Sequence, residues 1–117
     1  MLFRSFVTVI VKNIIPAKQA EASQTAQYTA SNVKCIIDKF TVTNTSSNSA
    51  TLSVNLIPSG GTSGDGNLIL KTRTISPQES YCCPELVGQV LESGSFISTL
   101  AGTASALTIR ASGREIV

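Results

Sequence analysis

Ten side chains in this sequence could do chemistry. Three are thiols (Cys35, Cys82 and Cys83) and seven are carboxylates (Glu21, Asp38, Asp65, Glu79, Glu85, Glu92 and Glu115), while histidine is absent. Without an imidazole there is no Ser-His or Cys-His pair, which removes the commonest hydrolytic designs. Two carboxylates facing one bond would suffice for glycoside hydrolysis, but these acids stand singly along the chain, mostly beside turns. Asp38 is the exception, mid-strand beside Lys39, and a polar residue on the wet face of a sheet explains it. Adjacent cysteines do not readily bridge each other, so at most one of Cys82 and Cys83 could reach Cys35. Free thiols in a reducing compartment are the simpler reading. Cys82-Cys83 lacks the Cys-x-x-Cys spacing of a redox pair, and entry of both side chains into a core is expected instead. Zinc needs four ligands at workable spacing, and without histidine only the three cysteines plus a carboxylate could supply them, so no zinc site is expected.

Two further motifs invite a chemical reading. The stretch Pro58-Ser-Gly-Gly-Thr-Ser-Gly-Asp-Gly66 could cradle an anion on backbone N–H groups. It lacks the Gly-Lys-Ser/Thr ending of a phosphate loop, and Asp65 alone cannot make a calcium loop, so a loop between paired strands is expected. Asn44-Thr-Ser46 matches a glycosylation acceptor, which matters only in a secreted protein. No catalytic residue, cofactor or metal is therefore expected, and the protein is expected not to be an enzyme.

The elements that must carry these residues are strands. At 117 residues the chain is the size of one domain, with 42% apolar but only 14% charged residues, against about 25% charged in an average soluble protein. Ser, Thr, Asn, Gln and Gly must cover the surface, a composition suited to strands and turns. Residues 2–12 are dense in β-branched and aromatic side chains, and loss of alternation suggests a strand buried on both faces that Pro16 interrupts. A loop or single helical turn over 17–23 precedes an extended segment at 24–29. Residues 33–43 and 50–57 read as strands joined in a hairpin through the polar turn 44–49. In the second of these, Ala50, Leu52, Val54 and Leu56 alternate with Thr51, Ser53 and Asn55. Strands follow at 67–74, 79–83, 96–100 and 106–111, where Leu107, Ile109 and Ala111 share the inner face. The segment 85–92 fits a short helix or turn that Gly88 weakens.

Seven to eight mostly antiparallel strands at about ten-residue spacing predict a single all-β domain over 1–117, a β-sandwich or jelly roll with residues 1–16 as N-terminal strand or arm. An open barrel is the alternative. Net charge is +2 and aromatics total 5%, with no Trp. The basic residues are scattered, so neither a phosphate-tracking stripe nor a stacking platform is present, and direct nucleic-acid binding is not expected. The apolar N-terminal run is too short to span a bilayer, ends at Lys12 and lacks a clean cleavage site, so no membrane partner is expected and an intracellular protein is.

Some longer strings are similar to a known group. Ile36 to Ser46, Ala50 to Gly61, Ile75 to Ser80 and Val90 to Ile97 together resemble the small β-sandwich proteins of tailed-bacteriophage virions, which serve as head decoration or cement proteins and as neck or tail accessories. The resemblance covers roughly residues 28–115. The polar turn and Pro-x-Glu-Ser string are of moderate specificity, as is Val-Leu-x-x-Gly, whose glycine admits a tight corner. The group often carries Asp after that glycine, where this chain has Ser95. The resemblance implies a non-enzymatic virion protein, made in the host bacterial cytoplasm, that binds other virion proteins, above all the major capsid protein, as a homo-oligomer or on a lattice. A neck, collar or tail accessory is the alternative within that class, and a carbohydrate-binding sandwich is the alternative outside it. Candidate protein contacts are Leu2, Phe3, Phe6 and Val9 on the N-terminal strand, with Pro58, Gly60, Gly61, Asp65 and Asn67 in the long loop.

Overall fold

The structure is a computed structural model that describes residues 7–117. Its strands are β1 (Val9–Gln19), β2 (Thr25–Thr29), β3 (Lys34–Asn44), β4 (Ala50–Ile57), β5 (Leu68–Ile75), β6 (Ser80–Tyr81), β7 (Val90–Leu91), β8 (Phe96–Ala101) and β9 (Leu107–Ile116). The first sheet runs β1-β9-β3-β6, with β7 also on β3, and the second runs β2-β8-β4-β5. All pairings are antiparallel. With β6 and β7 treated as one broken strand, this order is that of a jelly roll, in which each sheet interleaves early and late strands.

The expected all-β sandwich is thus what the chain forms, with nine strands where seven to eight were counted. The extra one arises where β6 and β7 divide a single edge. Between them, the segment 85–92, which fits a short helix or turn, takes the second form and is a series of turns. Leu86 N–H donates to the Cys83 carbonyl (3.0 Å), while Gly88 at φ +84° donates to Ile37 (2.7 Å). Ile37 N–H in turn donates to Gln89 (2.9 Å). Docking on β3 satisfies backbone groups that a lone short helix would leave open.

The expected 33–43/50–57 hairpin does not form. β3 pairs with β9, β6 and β7, and β4 pairs with β5 and β8, so 44–49 carries the chain from one sheet to the other. Pro16 does not end β1 either, and the loop expected over 17–23 begins only after Gln19. β1 is an edge strand whose register against β9 shifts between Lys12 and Ile15 and again between Ile15 and Lys18. Proline, lacking an N–H, is accommodated at such an edge bulge.

The core is filled from both sheets by Ile15, Ile37, Phe40, Leu52, Ile75, Ile97, Leu107 and Ile109, all fully buried. β9 shows the period of two most plainly: Leu107, Ile109, Ala111, Gly113 and Glu115 point inward. In β5 that period fails. Leu70 and Ile75 are both buried although five residues apart, because the pairing steps from Val54 opposite Leu70 to Leu52 opposite Arg73. Arg73 thereby lies at the sandwich margin, its guanidinium 4.1 Å from the centre of the Tyr81 ring on the other sheet.

Candidate functional site

Exposed apolar side chains gather at one end of the first sheet. Val9 pairs with Ile116, and Ile116 with Lys34. Val11 pairs with Arg114, Arg114 with Ile36, and Ile36 with Val90. Directly paired side chains share a face, and this is the outer one. Val7 is 67% exposed, Val11 79% and Val117 60%, with Val9 and Val90 each near half. Burial of β1 on both faces, as its composition suggests, is therefore corrected: only Ile14 and Ile15 are buried within it. Two ion pairs interrupt the apolar surface, Arg114 with Asp38 (2.9 Å) and Lys34 with Glu92 (3.5 Å). Both are largely exposed and add little to stability.

Topology sets the 58–67 loop at the same end. β4 leaves the second sheet at Ile57, which pairs with Phe96, and Phe96 pairs with Thr29. The chain then turns directly into Lys34, the partner of Ile116. Gly94, at φ +85°, closes the neighbouring corner. A Cβ there would come within 2.5 Å of the Ser59 hydroxyl, so glycine is needed on both counts.

Of the candidate contact residues, Leu2, Phe3 and Phe6 lie outside the described residues. Val9, Pro58, Gly60 and Asp65 are exposed, and Gly61 is half-buried. Asn67 has a structural task. Its Oδ1 accepts from the Asn55 amide (2.7 Å) and from Gly64 N–H (3.2 Å), and its Nδ2 donates to the Thr62 carbonyl (2.8 Å). Those bonds fold the loop over the outer face of β4. Asn55 is buried beneath it, and Ser53, whose hydroxyl accepts from the Thr72 N–H of β5 (2.9 Å), is buried too, although strand alternation assigns both to the wet side. Val7, Val11, Val90 and Val117 are among the exposed apolar residues that the candidate contacts do not include.

β1 is also tied down from inside. Tyr28 of the opposite sheet donates its hydroxyl to Glu115 Oε2, and Lys12 Nζ donates to the same oxygen (3.4 Å). Glu115 is only 9% exposed. Burial and the carboxylate beside it push the Tyr28 phenol well above its ordinary range. Burial likewise raises the neighbouring Cys35 thiol. The phenol, the carboxylate and the lysine together make a clasp between the two sheets.

Several other acids have local partners of their own. Glu21 faces Lys18 and Gln27, Glu79 accepts from Ser76 N–H, and Glu85 accepts from the Tyr81 hydroxyl. Among the described residues no three Cys, Asp or Glu side chains converge as metal ligands would. Cys83 enters the core but Cys82 is exposed, so the expectation that both would enter it is corrected. The Asn44 side chain is fully buried and engaged four times, so this acceptor motif is a turn anchor. Tyr28 is turned inward and Tyr81 is covered by Arg73, so neither ring is offered as a flat platform to a sugar. No helix among the described residues is long and apolar enough to cross a membrane.

No family model matches the chain, and no curated protein matches it. Among solved structures, a chain in the structure of infectious bursal disease virus, Gx strain, matches with a TM-score of 0.52 and 14% identity, over 97% of this chain and 33% of that one. The present chain thus spans a third of the length of that chain, and at this identity the likeness is one of fold.

Proposed function

We propose that this protein is a non-enzymatic structural component of a virus particle, held to neighbouring subunits by the outer end of its first sheet. The observation that carries the reading is the state of the β1 edge. Sheet edges invite pairing with other chains, and proteins that must stay apart guard them with charges, bulges or brevity. The other three edges are guarded in these ways. β5 presents Lys71, Arg73 and a register shift, β2 is five residues long with a shift of its own, and β6 and β7 have two residues each. β1 from Val9 to Val11 has neither charge nor bulge, and its valines lie open to solvent. A strand from a neighbouring subunit could add there, its main chain bonding to the edge and its side chains covering the valines. The jelly-roll order and the fold shared with a chain from a virus structure support the same reading.

In its finer form the reading is a decoration or cement protein on the head of a tailed phage, as the sequence resemblance suggests. Binding the assembled shell in preference to free capsid subunits would stabilise that shell by mass action. Sedimentation of particles tests the proposal. The protein is expected to travel with purified particles in many copies, and Val9→Lys/Val11→Lys is expected to stay in the soluble fraction with an unchanged melting temperature. Absence of the native protein from particles, or undiminished binding by the double variant, would overturn it.

A further inference from the structure

Past the apolar end, the same outer face changes character. Three alternate rungs of the β3-β9 ladder, which share the outer face, pair Lys39 with Ser112, Thr41 with Arg110 and Thr43 with Thr108. Their side chains line a groove of about 330 Å³, bounded on the β1 side by Ala17. Both walls are made by irregular pairing: β3 shifts register between Ile37 and Lys39, and β1 does so between Ile15 and Lys18. The bulges bend the strands where a flat face would otherwise run. The small Ala17 side chain leaves the space between them open.

The charges in this groove are unbalanced. Lys12, Lys18, Lys34 and Arg114 each meet a carboxylate within 4.0 Å, whereas Lys39 and Arg110 meet none among the described residues. Those two cations are diagonal neighbours on one face, roughly 7 Å apart at the backbone, close enough for one oxyanion to be held by both. The hydroxyls of Thr41, Thr108 and Ser112 flank the Arg110 position and take no part in side-chain hydrogen bonds among the described residues, while Thr43 meets only the Ser80 hydroxyl (2.9 Å). The volume lies at the small end for ligand sites.

We infer that this groove binds an acidic sugar, a ring bearing a carboxylate or a sulfate, with Lys39 and Arg110 on the anionic group and the threonine and serine hydroxyls on the ring hydroxyls. Hydroxyl side chains both donate and accept, which suits a polyol. The two cations are too few for a nucleic-acid backbone, because Arg114, the next along β9, is neutralised by Asp38, and no aromatic side chain lines the groove for a base to stack on. The inference does not rest on the assembly reading, since the valines lie outside the groove.

Amide chemical-shift titration of the whole protein tests it, with N-acetylneuraminic acid, glucuronic acid and glucose 6-sulfate as probes, and glucose, inorganic sulfate and an oligothymidylate as comparisons. At least one acidic sugar is expected to shift the amides of Lys39, Thr41, Arg110 and Ser112, with a preference between carboxylate and sulfate identifying the anion. Lys39→Gln and Arg110→Gln are each expected to weaken that binding about tenfold, and Val9→Lys/Val11→Lys to leave it unchanged. No response to any acidic sugar would overturn the inference. So would inorganic sulfate binding as tightly as the acidic sugars, or preferential binding of the oligothymidylate at the same amides.

Discussion

Replacing Asn44 by Ala is expected to destabilise the protein by about 3 kcal/mol, with the loss confined to the corner where the chain passes between sheets. The Asn44 amide donates to the carbonyls of Asn48 (2.8 Å) and Ile75 (3.0 Å), and its oxygen accepts from the Ser46 backbone N–H (2.9 Å) and hydroxyl (2.7 Å). Water can replace part of this. The Ser46 hydroxyl and the Asn48 carbonyl lie near the surface and also bond each other (2.8 Å). The Ile75 carbonyl is buried, and loss of its donor costs about 1–3 kcal/mol, with about 1 kcal/mol more for the Ser46 N–H bond. At about 4 °C per kcal/mol for a domain of this size, the melting temperature should fall by about 12 °C.

Asn44→Asp separates geometry from donation. The carboxylate keeps both acceptor roles and loses both donors, setting a charge against two carbonyl oxygens, of which that of Ile75 is buried. It should cost at least as much as Ala. Asn48→Ala, which removes an exposed side chain and leaves the carbonyl in place, should stay within about 0.5 kcal/mol of the parent. Urea unfolding followed by far-ultraviolet circular dichroism suits a protein without Trp, and the slope against urea should be unchanged. An Asn44→Ala variant as stable as Asn48→Ala would refute the view that the 44–46 motif is a buried anchor.

Three other outcomes are expected. Under native conditions a thiol reagent should modify Cys82 rapidly and leave Cys35 and Cys83 until the protein unfolds; prompt reaction of all three, read by mass spectrometry, would contradict their burial. Thr72→Gly should stabilise the protein by about 1 kcal/mol, because a β-branched residue held at φ +40° is strained by more than the added freedom of glycine in the unfolded chain offsets; a lower urea midpoint would count against this. Stability should also fall on the alkaline side. Burial pushes the Cys83 thiol from 9.0 up to about 12, so between those values the unfolded chain binds fewer protons than the folded one and unfolding is favoured as pH rises. Cys83→Ala should flatten that decline, and an unaltered pH profile would exclude the thiol as its source.

The strands were legible in the sequence wherever one face is dry. In β9, Leu107, Ile109 and Ala111 alternate with Thr108, Arg110 and Ser112 because nothing covers the outer side. Where pairing depends on distant partners, local pattern misleads. The 44–49 turn has the polar residues of a hairpin, yet it is a corner between sheets, because β3 finds β9 more than sixty residues on. The bulge in β5 hides Ile75 from any strict alternation, since an extra residue reverses the faces beyond it. The clasp of Tyr28, Glu115 and Lys12 was beyond reach for the same reason: three polar residues far apart in sequence meet only after both sheets have formed.

β1 shows why the surface was harder to read than the fold. A run such as Val9-Ile-Val11 has the composition of a strand buried on both faces, and in the structure it is an edge strand with those residues exposed. On the proposed reading the two descriptions agree, because a neighbouring subunit would cover the second face. This accounts for the contrast along one sheet face, with valines unshielded near Val11 and Val90 and a hydroxyl-lined groove beyond. It also accounts for the clasp beneath: an edge strand that must present itself to a neighbour in one register gains from being fixed to its own core by Glu115. Loosening the clasp with Tyr28→Phe should therefore weaken co-sedimentation with particles more than it lowers the melting temperature. Equal proportional losses would mean that the clasp serves stability alone.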